Sequence, residues 1–150
     1  MVESQYIHKS HNVSVIVYHI VAPAKFRKKI FEDDEVEEWL KVICLEIQQR
    51  YEINFLEIGV DEDHVHFLVQ SVPMYRPSKV VQIIKSITAR EIFLKFPYLK
   101  KKLWGSEFWT KGYFVSTVGK HGDENKLRNY VKNQGIKNYK QIHSGQLKLF

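Results

Sequence analysis

Ile53-Asn54-Phe55-Leu56-Glu57-Ile58-Gly59-Val60, then Asp61-Glu62-Asp63, then His64-Val65-His66-Phe67-Leu68-Val69-Gln70-Ser71, is the stretch that decides the fold. Both outer runs are short and rich in β-branched or aromatic residues, the composition of a pleated strand. The acidic triplet between them leaves room for a tight connection alone, so the two runs read as an antiparallel hairpin. Alternation along the second run sends His64 and His66 out of the same face. Asp61 and Asp63 place charge beside that pair, with Asp63 expected to point away from His64 if the strand has already begun there.

Working outward, Val13 to Val21 is another β-branched run and reads as the first strand. Pro23 and the cations Lys25, Arg27, Lys28 and Lys29 end it. Asp33 or Asp34 then caps a helix whose apolar residues, Val36, Trp39, Leu40, Ile43, Cys44 and Ile47, recur at helical spacing behind an acidic first turn. Beyond the hairpin, Pro77 or Ser78 opens a second helix, with Val80, Val81, Ile83, Ile84, Ile87, Phe93 and Leu94 expected inside and Pro97 as its stop. Lys100 to Gly112 reads as irregular, and Tyr113 to Val118 as the fourth strand. The link Gly119-Lys120-His121-Gly122 leads to a third helix from about Asp123 to Gln134, with Gly135 as its stop. Residues after about 135 are expected to be a poorly ordered tail.

The order is therefore β-α-β-β-α-β followed by a helix. This is an α+β chain, a ferredoxin-like antiparallel four-stranded sheet with two packed helices plus a C-terminal helix that carries Tyr130. At 150 residues, positions 1–150 make one domain. The fold hosts many unrelated functions, so the site must decide between them.

Composition narrows the classes. Lys and Arg outnumber Asp and Glu by 23 to 17, a net charge of +6 that favours a polyanionic partner, nucleic acid being the commonest. Solubility alone is the competing explanation of that charge. The single cysteine, Cys44, cannot form an internal disulfide and falls in an apolar helical pattern, which suits core packing in a reducing compartment. No apolar run is long enough to span a bilayer and the N-terminus is polar, so a soluble cytoplasmic protein without a membrane partner is expected.

Two neutral imidazoles on one pleated face can converge on a divalent ion and leave positions open for a substrate oxygen. The same pair could equally be half-exposed histidines on a wet sheet face. Two nitrogens rarely suffice for a metal, and Gln134 offers a carboxamide oxygen. Tyr130 and Gln134 are four residues apart, about one helical turn, so a phenol and an amide share a face. A tyrosine on an amphipathic helix is ordinarily packing; set beside a metal site it can be a nucleophile. Lys126 and Lys132 flank it and can hold phosphates. The segment from Lys95 to Tyr113 interleaves cations, including Lys111, with Trp104, Phe108 and Trp109, the mixture that pairs with phosphates and stacks on unpaired bases, or else packs beneath a long loop. Lys85 and Arg90 on the second helix are further candidates for a DNA groove.

Taken together, His64-Val65-His66, Tyr130 with Gln134, Leu103-Trp104-Gly105, Phe108-Trp109 and Tyr113-Phe114-Val115-Ser116-Thr117-Val118-Gly119 resemble the HUH single-tyrosine transposases of insertion sequences that move as single-stranded DNA. The resemblance runs from the first strand to Gln134. Val21 to Arg27 follows the family loosely, and the tail after Gly135 gives no match. The resemblance implies that His64, His66 and Gln134 hold Mg²⁺ or Mn²⁺ and that Tyr130 attacks a phosphodiester, leaving a 5′-phosphotyrosine and a free 3′-OH. It also implies a homodimer that shares active sites through its tyrosine helices, hairpin-marked DNA ends as substrate, and no nucleotide cofactor. Alternatives are a nuclease associated with repetitive palindromes, a non-catalytic module that binds single-stranded nucleic acid, and a metal hydrolase in which Tyr130 is structural.

Overall fold

In the computed structural model, residues 16–105, 107–118 and 122–133 are described. The expected Val13–Val15 start of the first strand, the 119–121 link, Gln134, Gly135 and the tail lie outside them. Strands β1 (Ile16–Pro23), β2 (Asn54–Val60), β3 (His64–Ser71) and β4 (Phe114–Thr117) form one sheet in the order β2-β3-β1-β4. Every neighbouring pair is antiparallel, which is the ferredoxin-like arrangement. The hairpin closes as the sequence predicts, with Asp61 N donating to His64 O at 2.9 Å. A register irregularity between Phe55 and Glu57 kinks β2.

Helices α1 (Asp34–Arg50) and α2 (Pro77–Lys95) cover one face. Asp33 caps α1 by accepting from Glu35 N at 2.9 Å, and acids fill the first turn where the helix dipole favours them. Val36, Leu40, Ile43, Cys44 and Ile47 of α1 and Val80, Val81, Ile84 and Ile87 of α2 meet Tyr18, Ile20, Val65, Phe67 and Val69 of the sheet in the main core. Burial pushes the Cys44 thiol far above its ordinary range, which suits an inert packing residue. Leu94 departs from expectation. It falls in the last turn of α2, where Ile92, Phe93 and Phe96 already fill the core, and stays 70% exposed.

The segment expected to be irregular contains one helical turn, α3 (Leu99–Lys102). The rest is pinned to the body, because Trp109 Nε1 donates to the buried Thr88 Oγ1 at 3.0 Å and Lys25 N to Phe108 O at 2.8 Å. Thr110 N also donates to Pro23 O at 3.0 Å. Helix α4 (Gly122–Lys132) lies against β2 and β3 on the opposite face. There Val17, Leu68, Tyr130 and Val131 form a small second core, with Leu56 and Val118 against it. Arg128 Nε reaches Glu57 Oε1 at 3.1 Å and ties α4 to β2. No helix among the described residues is long and apolar enough to cross a membrane.

Candidate active site

Because α1 and α2 take one face of the sheet, the residues of opposite parity on β1 and β3 point to the α4 face. On β3 these are His64, His66 and Leu68. On β1 they are Val17, His19 and Val21, since Val21 pairs with His66 and His19 with Leu68. His64 and His66 therefore share a face, their ring centroids 5.1 Å apart, and both are buried. Tyr130 comes down on them from α4 of the same chain. Its ring stands edge-on to His66 with the centroids 5.6 Å apart. Tyr130 and His66 thus meet within one chain, while Gln134 lies one residue beyond the last described residue, Asn133.

A third histidine belongs to the constellation. His19 Nε2 lies 2.9 Å from His66 Nδ1, and the two rings stack at 5.1 Å. They are diagonal neighbours across the β1–β3 ladder. Sequence reasoning passed over His19. The available signal was one imidazole in the middle of a largely apolar strand, on the same alternation as Val17 and Val21. Burial lowers the His19 pKa to about 4. Burial, with the neighbouring His19 and His64, holds His66 well below the ordinary imidazole value. Both rings are therefore neutral at pH 7, the form in which imidazole binds a metal.

Asp63 precedes the strand, so the condition for its pointing away is not met. It does not turn away from His64, because its Oδ1 sits 2.7 Å from His64 Nδ1. It lies at the turn, before the alternation of the strand governs direction. Burial alone would raise its pKa, but the hydrogen bond with His64 and the Arg27 guanidinium, 3.3 Å from Oδ2, outweigh it and hold the carboxyl below its usual value. Such a carboxylate orients the imidazole and turns the far nitrogen away from itself. That nitrogen, His64 Nε2, is buried and has no hydrogen-bond partner among the described residues. Asp61 Oδ2 stands 3.9 Å from it. Among the described residues no three His, Cys, Asp or Glu side chains form a metal-holding group. The donors present are the two imidazoles, with the Asp61 carboxylate standing off at 3.9 Å, so a metal here would need its further ligands from outside this set.

Beside His64 opens a cleft of about 410 Å³, lined also by Arg27, Pro23, Thr110, Tyr113 and Phe114. The other basic candidates are dispersed. Lys85 is half-buried, donates to Thr110 O at 2.6 Å and lies over the Tyr113 ring. Burial lowers its pKa, with Glu107 opposing. Arg90 is exposed beside Glu91, at 3.7 Å. Five residues turn a helix by about 140° beyond a full circle, so Lys85 and Arg90 do not form a single stripe. Lys111, Lys126 and Lys132 are exposed, the last two on α4.

A histidine pair on a central strand, met by a tyrosine from a C-terminal helix, marks the HUH single-tyrosine transposase class. The chain belongs to the family described as "Transposase IS200 like", matched over residues 12–134. It is 30% identical over 117 residues to the ISDra2 transposase TnpA of Deinococcus radiodurans, covering 78% of this chain and 82% of that one. It is 31% identical over 120 residues to the IS200 transposase of Salmonella typhimurium, covering 78% and 75%. A crystal structure assigned to a transposase of Deinococcus radiodurans superposes with a TM-score of 0.68 at 29% identity, over 86% of this chain and 98% of that one. A REP-associated tyrosine transposase, solved bound to a REP hairpin, shares the fold at a TM-score of 0.62 and 12% identity, over 92% and 73%.

Proposed function

We propose that this transposase cuts and rejoins single-stranded DNA at hairpin-marked ends through a 5′-phosphotyrosine on Tyr130. The observation that carries the reading is the approach of Tyr130 to the oriented histidine pair, ring to ring at 5.6 Å from His66. The hairpin part is supported by the hairpin-bound REP-associated relative of the same fold.

His64 and His66, with the carboxamide of Gln134, would hold Mg²⁺ or Mn²⁺. When bound, such an ion polarises the scissile phosphate and lowers the cost of its developing charge. Asp63 fixes the His64 ring through Nδ1. His66 offers Nε2 as a lone-pair donor when its Nδ1 carries the proton and donates to His19 Nε2. The Tyr130 oxygen attacks phosphorus, the phenolic proton leaves, and the 3′ oxygen departs as a hydroxyl. The bond energy is kept in the phosphotyrosine, so a 3′-OH can reverse the step and join strands without a nucleotide cofactor. In this structure the tyrosine helix rests on its own sheet. A homodimer with shared sites belongs to the same proposal, and so does action in the cytoplasm.

Incubation with hairpin-bearing single-stranded DNA and Mn²⁺ tests the reading. A denaturation-resistant protein–DNA adduct is expected, absent in Tyr130→Phe while DNA binding persists. Normal cleavage by Tyr130→Phe would instead assign the attack to water and leave Tyr130 structural.

A further inference from the structure

Among the described residues, the non-glycine residues with positive φ are Phe26 at 58°, Arg27 at 51° and Trp104 at 55°. For an L-residue this conformation is disfavoured, and residues held in it cluster at functional sites. The three sit in two segments far apart in sequence, and the segments meet. The Phe26 and Trp104 rings contact each other at 5.9 Å between centroids. The contact does not bury them, since Phe26 is 56% exposed and Trp104 78% exposed. Two large rings in strained backbone, touching and still facing solvent, contribute little to the core.

Cations frame the pair. Lys28 Nζ stands 5.1 Å over the Trp104 ring and Lys25 Nζ 5.4 Å over Phe26. Lys25 is committed to Glu107 at 2.7 Å. Lys28 has no carboxylate partner among the described residues, and Lys101 and Lys102 are exposed three and two residues before Trp104. Rings for base faces and ammonium groups for the flanking phosphates are the parts of a single-strand site. The patch is also joined to the reaction centre. Arg27, next to Phe26, pairs with Asp63, which holds His64, and Arg27 and His64 line the same cleft.

We infer that Phe26 and Trp104 form a stacking platform for an unpaired nucleobase of the DNA strand that enters the His64 cleft. Lys28 receives a neighbouring phosphate. The inference rests on the single-stranded substrate proposed above, and it adds where a base outside any duplex is gripped.

The test measures binding of the full chain to a twelve-nucleotide oligothymidine and to a blunt duplex of the same length, without metal so that no cleavage intervenes. Trp104→Ala and Phe26→Asn should each weaken single-strand binding ~10-fold and change duplex binding little, because stacking needs an open base face. Trp104→Phe should restore most of the affinity. Thermal melting supplies a second readout. Phe26→Asn should melt no lower than the unaltered chain, since Asn tolerates positive φ, whereas a packing role predicts clear destabilisation. Unchanged single-strand affinity in Trp104→Ala would overturn the platform, as would equal losses on single strand and duplex. If the unaltered chain binds neither DNA, both the platform and the function proposed above fail. If it binds and forms the Tyr130 adduct while the ring variants behave normally, the platform alone fails.

Discussion

His19 Nε2 and His66 Nδ1 face each other at 2.9 Å across the β1–β3 ladder, so the strand that carries no proposed ligand sets which nitrogen of His66 points away from it, Nε2. Removing that contact should act on the metal before it acts on the fold. His19→Ala is expected to weaken Mn²⁺ binding by roughly 10- to 100-fold, the usual effect of losing a partner that orients a ligand. His19→Gln, which keeps an acceptor near the same place, should recover part of it. Calorimetric titration with Mn²⁺ decides the matter, and an unchanged affinity in His19→Ala would make His19 a packing residue alone.

The same histidine sets an acid limit on the metal-free chain. Burial lowers its folded pKa from 6.5 to about 4, and His66 shifts in the same direction. Above pH 6.5 both folded and unfolded chains hold these rings neutral, and this contribution to stability is complete. As pH falls below 6.5 the unfolded chain takes up protons first, so stability declines until about pH 4, where folded His19 also titrates. From His19 alone the loss is about 3 kcal/mol. Urea unfolding in chelator at pH 7.5, 5.5 and 4.5 should give falling midpoints, with a flatter profile in His19→Phe.

Much of this was legible in the sequence because alternation and turn chemistry are local. The 53–71 hairpin, the capped α1, the Pro77 start of α2 and the shared face of His64 and His66 all follow from residue type and spacing. What was hidden depends on which strands become neighbours. His19 joins the site because β1 lies beside β3, a pairing that neither strand announces by itself. Asp63 turns onto His64 because the chain has not yet entered the pleat there. The pairing of Phe26 with Trp104 needs two loops to converge, and no periodic pattern encodes that.

Helix α4 should open before the rest of the molecule. Among the described side chains its apolar anchorage is Tyr130 and Val131 against Val17 and Leu68, with Leu56 and Val118 beside them and the Arg128–Glu57 pair at its side. Among the described residues that cluster is far smaller than the core that α1 and α2 share with the sheet. Local opening follows such differences in packing. Hydrogen exchange should therefore run faster in 122–132 than in β1 and β3. Leu68→Ala, which leaves a cavity beneath Tyr130, should raise α4 exchange further and cost about 2–4 kcal/mol in global stability. Glu57→Gln removes a partly exposed ion pair and should cost no more than about 1 kcal/mol. Uniform exchange across α4 and β1 would show that the helix is as firmly held as the sheet.

The segment that bears Trp104 is held by Trp109, whose Nε1 donates to Thr88 Oγ1 at 3.0 Å inside the core. Thr88 Oγ1 in turn donates to Ile84 O at 2.6 Å, so the hydroxyl is fixed in the orientation that accepts from the indole. Thr88→Val preserves the shape and leaves a buried N–H without its acceptor. The expected cost is about 1–3 kcal/mol, the penalty for stranding a polar group rather than the worth of one hydrogen bond. Trp109→Phe removes the donor but also packing volume against Phe31 and Phe108. The double variant should then be less destabilised than the sum of the single ones, because the valine no longer faces an unsatisfied indole. Chemical denaturation of the four proteins measures that coupling. Simple additivity would mean that Thr88 and Trp109 stabilise the segment independently, by packing and not through the bond between them.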